Sequence, residues 1–170
     1  MVTPALVLHW MLFLVPSAPH AESFPETAKI IADVANAEPD ALDAAATLTA
    51  IGYYESHFDP LAVSKDSDPT LSYGIFQVST QWMQFPASIR AQAEKALLLI
   101  RDSWLRCGTL AEYTSGSCRE GVKEAADRAK VAYRLKALGW YFEENVIQRK
   151  RRKERTCPER GRLSLESRSQ

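Results

Sequence analysis

The chain is predicted to be mainly α-helical and to form one domain, and three observations predict it. Apolar residues recur at helical spacing in several separate stretches, and no segment alternates apolar and polar residues as a half-buried strand does. Capping and breaker residues fall at the ends of those stretches. At 170 residues, with 46% hydrophobic and 25% charged residues, the chain is long enough to bury a core and has an ordinary globular composition.

Residues 1–22 hold the apolar run Leu6-Val-Leu-His-Trp-Met-Leu-Phe-Leu14. It is shorter than the about 20 residues that a membrane-spanning helix needs. A secretory signal carries Lys or Arg ahead of its apolar core. Met1-Val2-Thr3 carries neither, although Pro19-His20-Ala21 has the look of a cleavage site. Thr3-Pro4 reads as a helix start. The segment is therefore expected to be a first helix packed on the domain, with a cleaved signal as the alternative.

Ser23-Phe24-Pro25-Glu26 has the form of a capping box, in which the serine hydroxyl caps amide donors and the glutamate reaches back. It is expected to open a helix to about Asn36, with Ala28, Ile31, Val34 and Ala35 facing inward. A second helix is expected over residues 40–56. Leu42, Ala45, Ala46, Leu48, Ile51 and Gly52 make it almost wholly apolar, which places it in the middle of a bundle. From Asp59 to Gln77 the helical pattern breaks, with Lys65-Asp66-Ser67-Asp68-Pro69 as an exposed turn-rich loop.

A third helix is expected over residues 88–106, with Ile89, Ala93, Ala96, Leu97, Ile100 and Trp104 on one face and Gly108 as its stop. A fourth covers residues 119–138, using Val122, Ala125, Ala126, Ala129, Ala132, Tyr133 and Leu135. Gly139 is expected to end or bend it, with Trp140-Tyr141-Phe142 packing beyond. Residues 149–170 have almost no large apolar side chains and are expected to be disordered. The domain proper is thus 23–148, flanked by the apolar segment 1–22 and a basic tail, 149–170.

The net charge of zero conceals an asymmetry. From Arg149 onward there are nine Lys or Arg against three Glu, so the tail carries +6 and the first 148 residues −6. The acidic body is a poor nucleic-acid binder, and any affinity for an anionic polymer belongs to the tail. The three cysteines, Cys107, Cys118 and Cys157, make neither a disulfide framework nor a zinc-ligand pattern. Cys107 and Cys118 flank the loop holding Tyr113 and can pair in an oxidising compartment. The odd third cysteine favours two half-buried thiols instead.

One acid stands out. Glu55 is the lone carboxylate between Leu48 and Phe58, set among Ile51, Tyr53, Tyr54 and Phe58 in the last turn of an apolar helix. Burial disfavours the charged carboxylate, and the helix C-terminus is the negative end of the dipole. Both effects hold the proton on Glu55 toward neutral pH, as a general acid requires. Taken alone, a glutamate near a helix end is usually a solvated surface residue. His57 has no second His or Cys at metal spacing and reads as a surface or packing residue.

Two further segments give Glu55 a context. About twenty residues after Glu55-Ser56 comes Ser72-Tyr73-Gly74-Ile75-Phe76-Gln77, in which Gly74 lets the backbone pass close and Gln77 offers an amide. Later comes Leu110-Ala111-Glu112-Tyr113-Thr114-Ser115-Gly116. Over residues 42–138 the layout resembles the lysozyme-like lytic transglycosylases, marked by a Glu-Ser pair, a Gly-apolar-apolar-Gln turn and a Tyr-Asn-x-Gly segment. Thr114 stands where the asparagine usually is, a departure that bears on one substrate hydrogen bond.

The resemblance implies a lysozyme-like helical bundle with a substrate cleft and room for a short irregular β-hairpin between Asp59 and Gln77. It implies cleavage of the β-1,4 bond between N-acetylmuramic acid and N-acetylglucosamine in peptidoglycan. Glu55 would be acid and base, and the sugar's own 6-hydroxyl would attack to give a 1,6-anhydro product. Ser56, Ser72, Gly74, Gln77, Tyr113 and Thr114 would hold substrate or carboxyl, with no metal or cofactor. A second acid, which hydrolysing glycosidases normally use, would have to be Asp59, Asp66 or Asp68; Asp59 reads as a turn cap and the others as loop residues. The site would lie in the cell envelope, the periplasm or a virion, and delivery by a larger assembly such as a phage particle or secretion machine is expected. The alternatives are a hydrolysing muramidase, a catalytically silent wall-binding domain, and a helical adaptor using its basic tail on nucleic acid.

Overall fold

In a computed structural model, residues 1–65 and 69–156 are described, with the backbone alone for 143, 144, 146, 147 and 149–156. The architecture is mainly helical with a small three-stranded antiparallel sheet. In chain order the elements are α1 (Pro4–Leu14), a 3-10 turn (Ala21–Ser23), α2 (Phe24–Ala35), α3 (Ala41–Ser56), β1 (Val63–Lys65), β2 (Leu71–Tyr73), β3 (Val78–Ser79), α4 (Ile89–Cys107), α5 (Ala111–Ser115) and α6 (Val122–Thr156).

Helix α1 starts as its sequence suggests: the Thr3 hydroxyl accepts from the Leu6 amide and Pro4 occupies the first turn. Leu6, Val7, Trp10 and Met11 are fully buried, so α1 is part of the core. The capping box at the next helix does not form. Ser23 is itself helical (φ −82°, ψ −12°) because the 3-10 turn precedes it, and its hydroxyl donates back to the His20 carbonyl at 2.9 Å. A cap needs an extended residue, and the extra turn removes it.

Helix α3 is central, bordered by α1, α2, α4 and α6. Seven of its residues, among them Leu48, Thr49 and Ile51, are buried, and the apolar sequence needs that position. Asp40 caps it by accepting from the Asp43 amide at 3.0 Å. At the other end His57 and Phe58 both take left-handed backbone angles (φ 54° and 65°). Their amides return to the carbonyls of Tyr53 and Gly52, each at 3.1 Å, which closes the last turn. Non-glycine residues are strained there. Phe58 is held by burial, with its ring edge-on to Phe24 at 5.4 Å.

The sheet follows at once, in the order β1-β2-β3, with Ser64 opposite Ser72 and Tyr73 opposite Val78. The expected hairpin is therefore present but carries a third strand beyond Gln77. Helix α4 ends at Gly108 (φ 65°) as its sequence requires, although Trp104 is half exposed.

Helix α6 corrects the sequence reading in two respects. It passes straight through Gly139, because a Cβ there would come within 2.9 Å of both Trp10 and Leu42. Gly139 is a notch that lets α6 cross α1 and α3, and it does not end the helix. The backbone then stays helical to Thr156, so the expected disorder does not hold for residues 149–156; residues 157–170 lie outside the described residues. On its inner face Ala125, Arg128, Ala129, Ala132, Leu135, Lys136 and Gly139 are shielded, whereas Val122 and Tyr133 are exposed.

Cys107 and Cys118 are joined in a disulfide, against the expectation of free thiols. The bridge ties the end of α4 to the segment after α5, a short helix that the sequence reading treated as loop. A loop of that length adds roughly 2–3 kcal/mol by restricting the unfolded chain. Cys157 lies outside the described residues.

Candidate active site

Between the sheet and α5 lies a cleft of about 570 Å³. Five of the residues singled out from sequence line it: Glu55, Ser72, Gln77, Tyr113 and Thr114. Ser56 and Gly74 do not. Their roles are structural, and they explain how the walls are held.

Ser56 sends its hydroxyl to the Ile75 carbonyl at 2.9 Å, pinning the end of α3 to the turn between β2 and β3. Gly74 has φ 70°, and a Cβ there would fall 2.1 Å from the side-chain oxygen of buried Gln92. The close approach that glycine permits is to this amide, not to the Glu55 carboxylate. Gln77 also departs from expectation. It sits at φ 46°, donates from Nε2 to the carbonyls of Gly74 (2.9 Å) and Ala62 (3.2 Å), and accepts from Ser64 at 2.6 Å. Its amide braces the turn while one edge faces the cleft.

Tyr113 donates its phenol to the Phe76 carbonyl at 2.8 Å, which joins α5 to the same turn. Its pKa lies well above the tyrosine range, chiefly through burial, with the Glu55 charge adding and Arg128 opposing. Thr114 bonds to the Ala111 carbonyl at 2.9 Å and more weakly to Gly121, as a helix-end hydroxyl does. Asp59 accepts from the Leu61 amide at 2.8 Å and is a turn former, as read from sequence. Asp66 and Asp68 lie outside the described residues.

At Glu55 the structure adds a partner that sequence reasoning missed. Arg128 of α6 donates from Nη2 at 2.8 Å and Nε at 3.0 Å, both to Glu55 Oε1, and lies over the Tyr54 ring. The Glu55 pKa is nevertheless raised, because burial outweighs the charge and hydrogen bonds of Arg128. The two effects are compatible: a proton on Oε2 leaves Oε1 free to accept from the guanidinium. Arg128 was detectable in principle, since it and Lys136 are the two cations that interrupt the mainly apolar inner face of this helix.

Glu112, Arg106 and Trp82 also line the cleft and were not singled out. Glu112 is a second carboxylate there, paired with Arg106 at 2.9 Å. Its carboxylate and the sulfurs of Cys107 and Cys118 lie within 4.8 Å of one another. The sulfurs are bonded to each other, however, and metals bind thiolates. Trp82 is half exposed, with the Lys95 ammonium 5.7 Å from its ring.

The raised Glu55 pKa has a consequence for stability. The folded state holds this proton more tightly than the unfolded chain, so this contribution favours folding at low pH. It is lost as pH rises from the ordinary glutamate range through the raised value. Glu55→Gln mimics the protonated form. The difference in melting temperature between variant and wild type is expected to grow in the variant's favour across that window. A difference independent of pH would contradict it.

Comparison of the chain with protein-family models, with curated proteins and with solved structures finds no match.

Proposed function

We propose that this chain is a lysozyme-like domain that cleaves peptidoglycan glycan strands as a lytic transglycosylase. The observation that carries the reading is Glu55: a mostly buried carboxyl of raised pKa, at the end of a central helix, on the wall of a polar cleft. The arrangement around it supports the same reading. A helix ending in the acid leads into a small antiparallel sheet, and Ser56, Gln77 and Tyr113 are all bonded to the β2–β3 turn or its flanks.

In the proposed mechanism the neutral Glu55 gives its proton to the glycosidic oxygen as the bond to C1 breaks. The carboxylate that results is stabilised by Arg128, already hydrogen-bonded to Oε1. Glu55 then takes the proton of the sugar's 6-hydroxyl as that oxygen closes on C1, so no water enters the product. The half-exposed Trp82 ring offers an apolar face on which a sugar can stack. The disulfide fits a location in an oxidising compartment such as the cell envelope. Delivery by a larger assembly remains part of the proposal.

A hydrolysing muramidase is the second reading, and Glu112 is the observation that favours it, as the other carboxylate on the cleft among the described residues. Its pairing with Arg106 ties it to a protein cation rather than to an attacking water. Incubation with purified sacculi tests the proposal: soluble muropeptides are expected, and sacculi left intact would overturn it.

A further inference from the structure

The far end of α6 carries features that the cleft does not use. Just past Gly139 the helix shows three consecutive aromatics to solvent: Trp140, Tyr141 and Phe142 are 57%, 70% and 39% exposed. Consecutive helical residues point about 100° apart, so this turn is aromatic over most of its circumference. Phe142 stacks on His9 of α1 with ring centroids 6.2 Å apart. One turn after His9, α1 exposes Leu12 and Phe13, the latter by 63%. The end of α1 and the middle of α6 therefore meet at the His9–Phe142 stack and both present exposed apolar side chains there.

After Glu143-Glu144 and four uncharged residues, the sequence of α6 turns basic. Six Lys or Arg and one Glu lie between Arg149 and Arg155, on backbone that remains helical through Thr156. Among the described residues no helix is long and apolar enough to cross a membrane. An aromatic collar followed by a cationic helical segment has the pattern of a helix that lies in the lipid–water interface: aromatic rings enter the headgroup layer while the cations meet anionic headgroups.

We propose that the end of α6, with Leu12 and Phe13 of α1, docks the protein on an anionic phospholipid bilayer. Charge complementarity selects the lipid class, and the exposed rings distinguish a membrane from a soluble polyanion. A polyanion without exposed bases, such as duplex nucleic acid or teichoic acid, needs the cations alone. A bilayer uses both.

The test is co-sedimentation of the full chain with vesicles of phosphatidylcholine, with and without phosphatidylglycerol, needing no wall substrate. Binding is expected to the phosphatidylglycerol vesicles and to weaken with added salt. Phe13→Ser and Tyr141→Ser, both at exposed positions, should each weaken it by about tenfold, the effect of one ring kept out of lipid. Replacing the five cations from Arg149 to Lys153 by Gln should weaken it by roughly a hundredfold or more. Circular dichroism of each variant shows that the helices persist. Failure to bind phosphatidylglycerol vesicles at low salt would overturn the proposal. So would binding lost with the cations yet indifferent to Phe13 and Tyr141, which marks a polyanion partner. A dimer that the ring variants dissociate, with no vesicle binding, would assign the surface to a second copy of the chain and overturn it equally.

Discussion

Glu55→Gln is expected to abolish glycan cleavage, lowering the rate by about two to four orders of magnitude, the usual effect of losing an essential general acid. The substitution is nearly isosteric. Its amide oxygen can still accept from Nε and Nη2 of Arg128, which now reach Oε1 at 3.0 and 2.8 Å. What the amide lacks is a transferable proton. The fold should therefore persist, and helical content and melting should remain cooperative while clearance of a cell-wall suspension stops. Clearance by the variant at the wild-type rate would remove Glu55 from the mechanism.

Phe58→Ala should have the largest effect on stability. The ring is fully buried, packs edge-on against Phe24, and anchors a residue whose φ of 65° is strained for any side chain but glycine's. Truncating a buried phenylalanine costs about 3–5 kcal/mol through lost burial and the cavity left behind. For a domain of this size that is on the order of 10 °C in melting temperature. Phe58 also closes the turn that ends α3, three residues beyond Glu55, so the surviving folded fraction should cleave more slowly as well. A melting temperature within about 2 °C of wild type would show that this turn is held by something else.

What was legible in the sequence was local. The centrality of α3 follows from its near-continuous apolar composition, and the ends of α1 and α4 follow from Thr3-Pro4 and Gly108, because caps act within a turn. Glu55 could be picked out because its apolar neighbours are adjacent in sequence, and its carboxyl is mostly buried in the fold, which raises its pKa. Misreadings arose where distant segments decide. Gly139 looks like a helix stop until Trp10 and Leu42 come against it. Ser23 looks like a cap until the preceding 3-10 turn makes it helical.

The site divides along the same line. Gln77 and Gly74 have the right residue types, yet their partners, Ser64, Ala62 and Gln92, are set by tertiary packing, and so both brace the wall. Arg128 lies 73 residues from Glu55 and carries no local motif. Its trace in the sequence is positional: Arg128 and Lys136 are the two cations on the inner face of α6, and both find carboxylates at the ends of α3, Lys136 reaching the cap residue Asp40 and Asp43 at 2.9 Å each. A cation on a packed helix face calls for an acid within reach: Lys136 meets two exposed ones, Arg128 the mostly buried Glu55. Read that way, the fourth helix points back to Glu55.

The most direct measurement of the central claim is mass spectrometry of muropeptides released from purified sacculi by the wild-type protein. Ring closure by the sugar's own hydroxyl predicts 1,6-anhydro ends, each lighter by one water than a hydrolytic end. Reducing ends in their place would show that water attacks C1, contradicting the transglycosylase account and turning attention to Glu112 as the group that activates it.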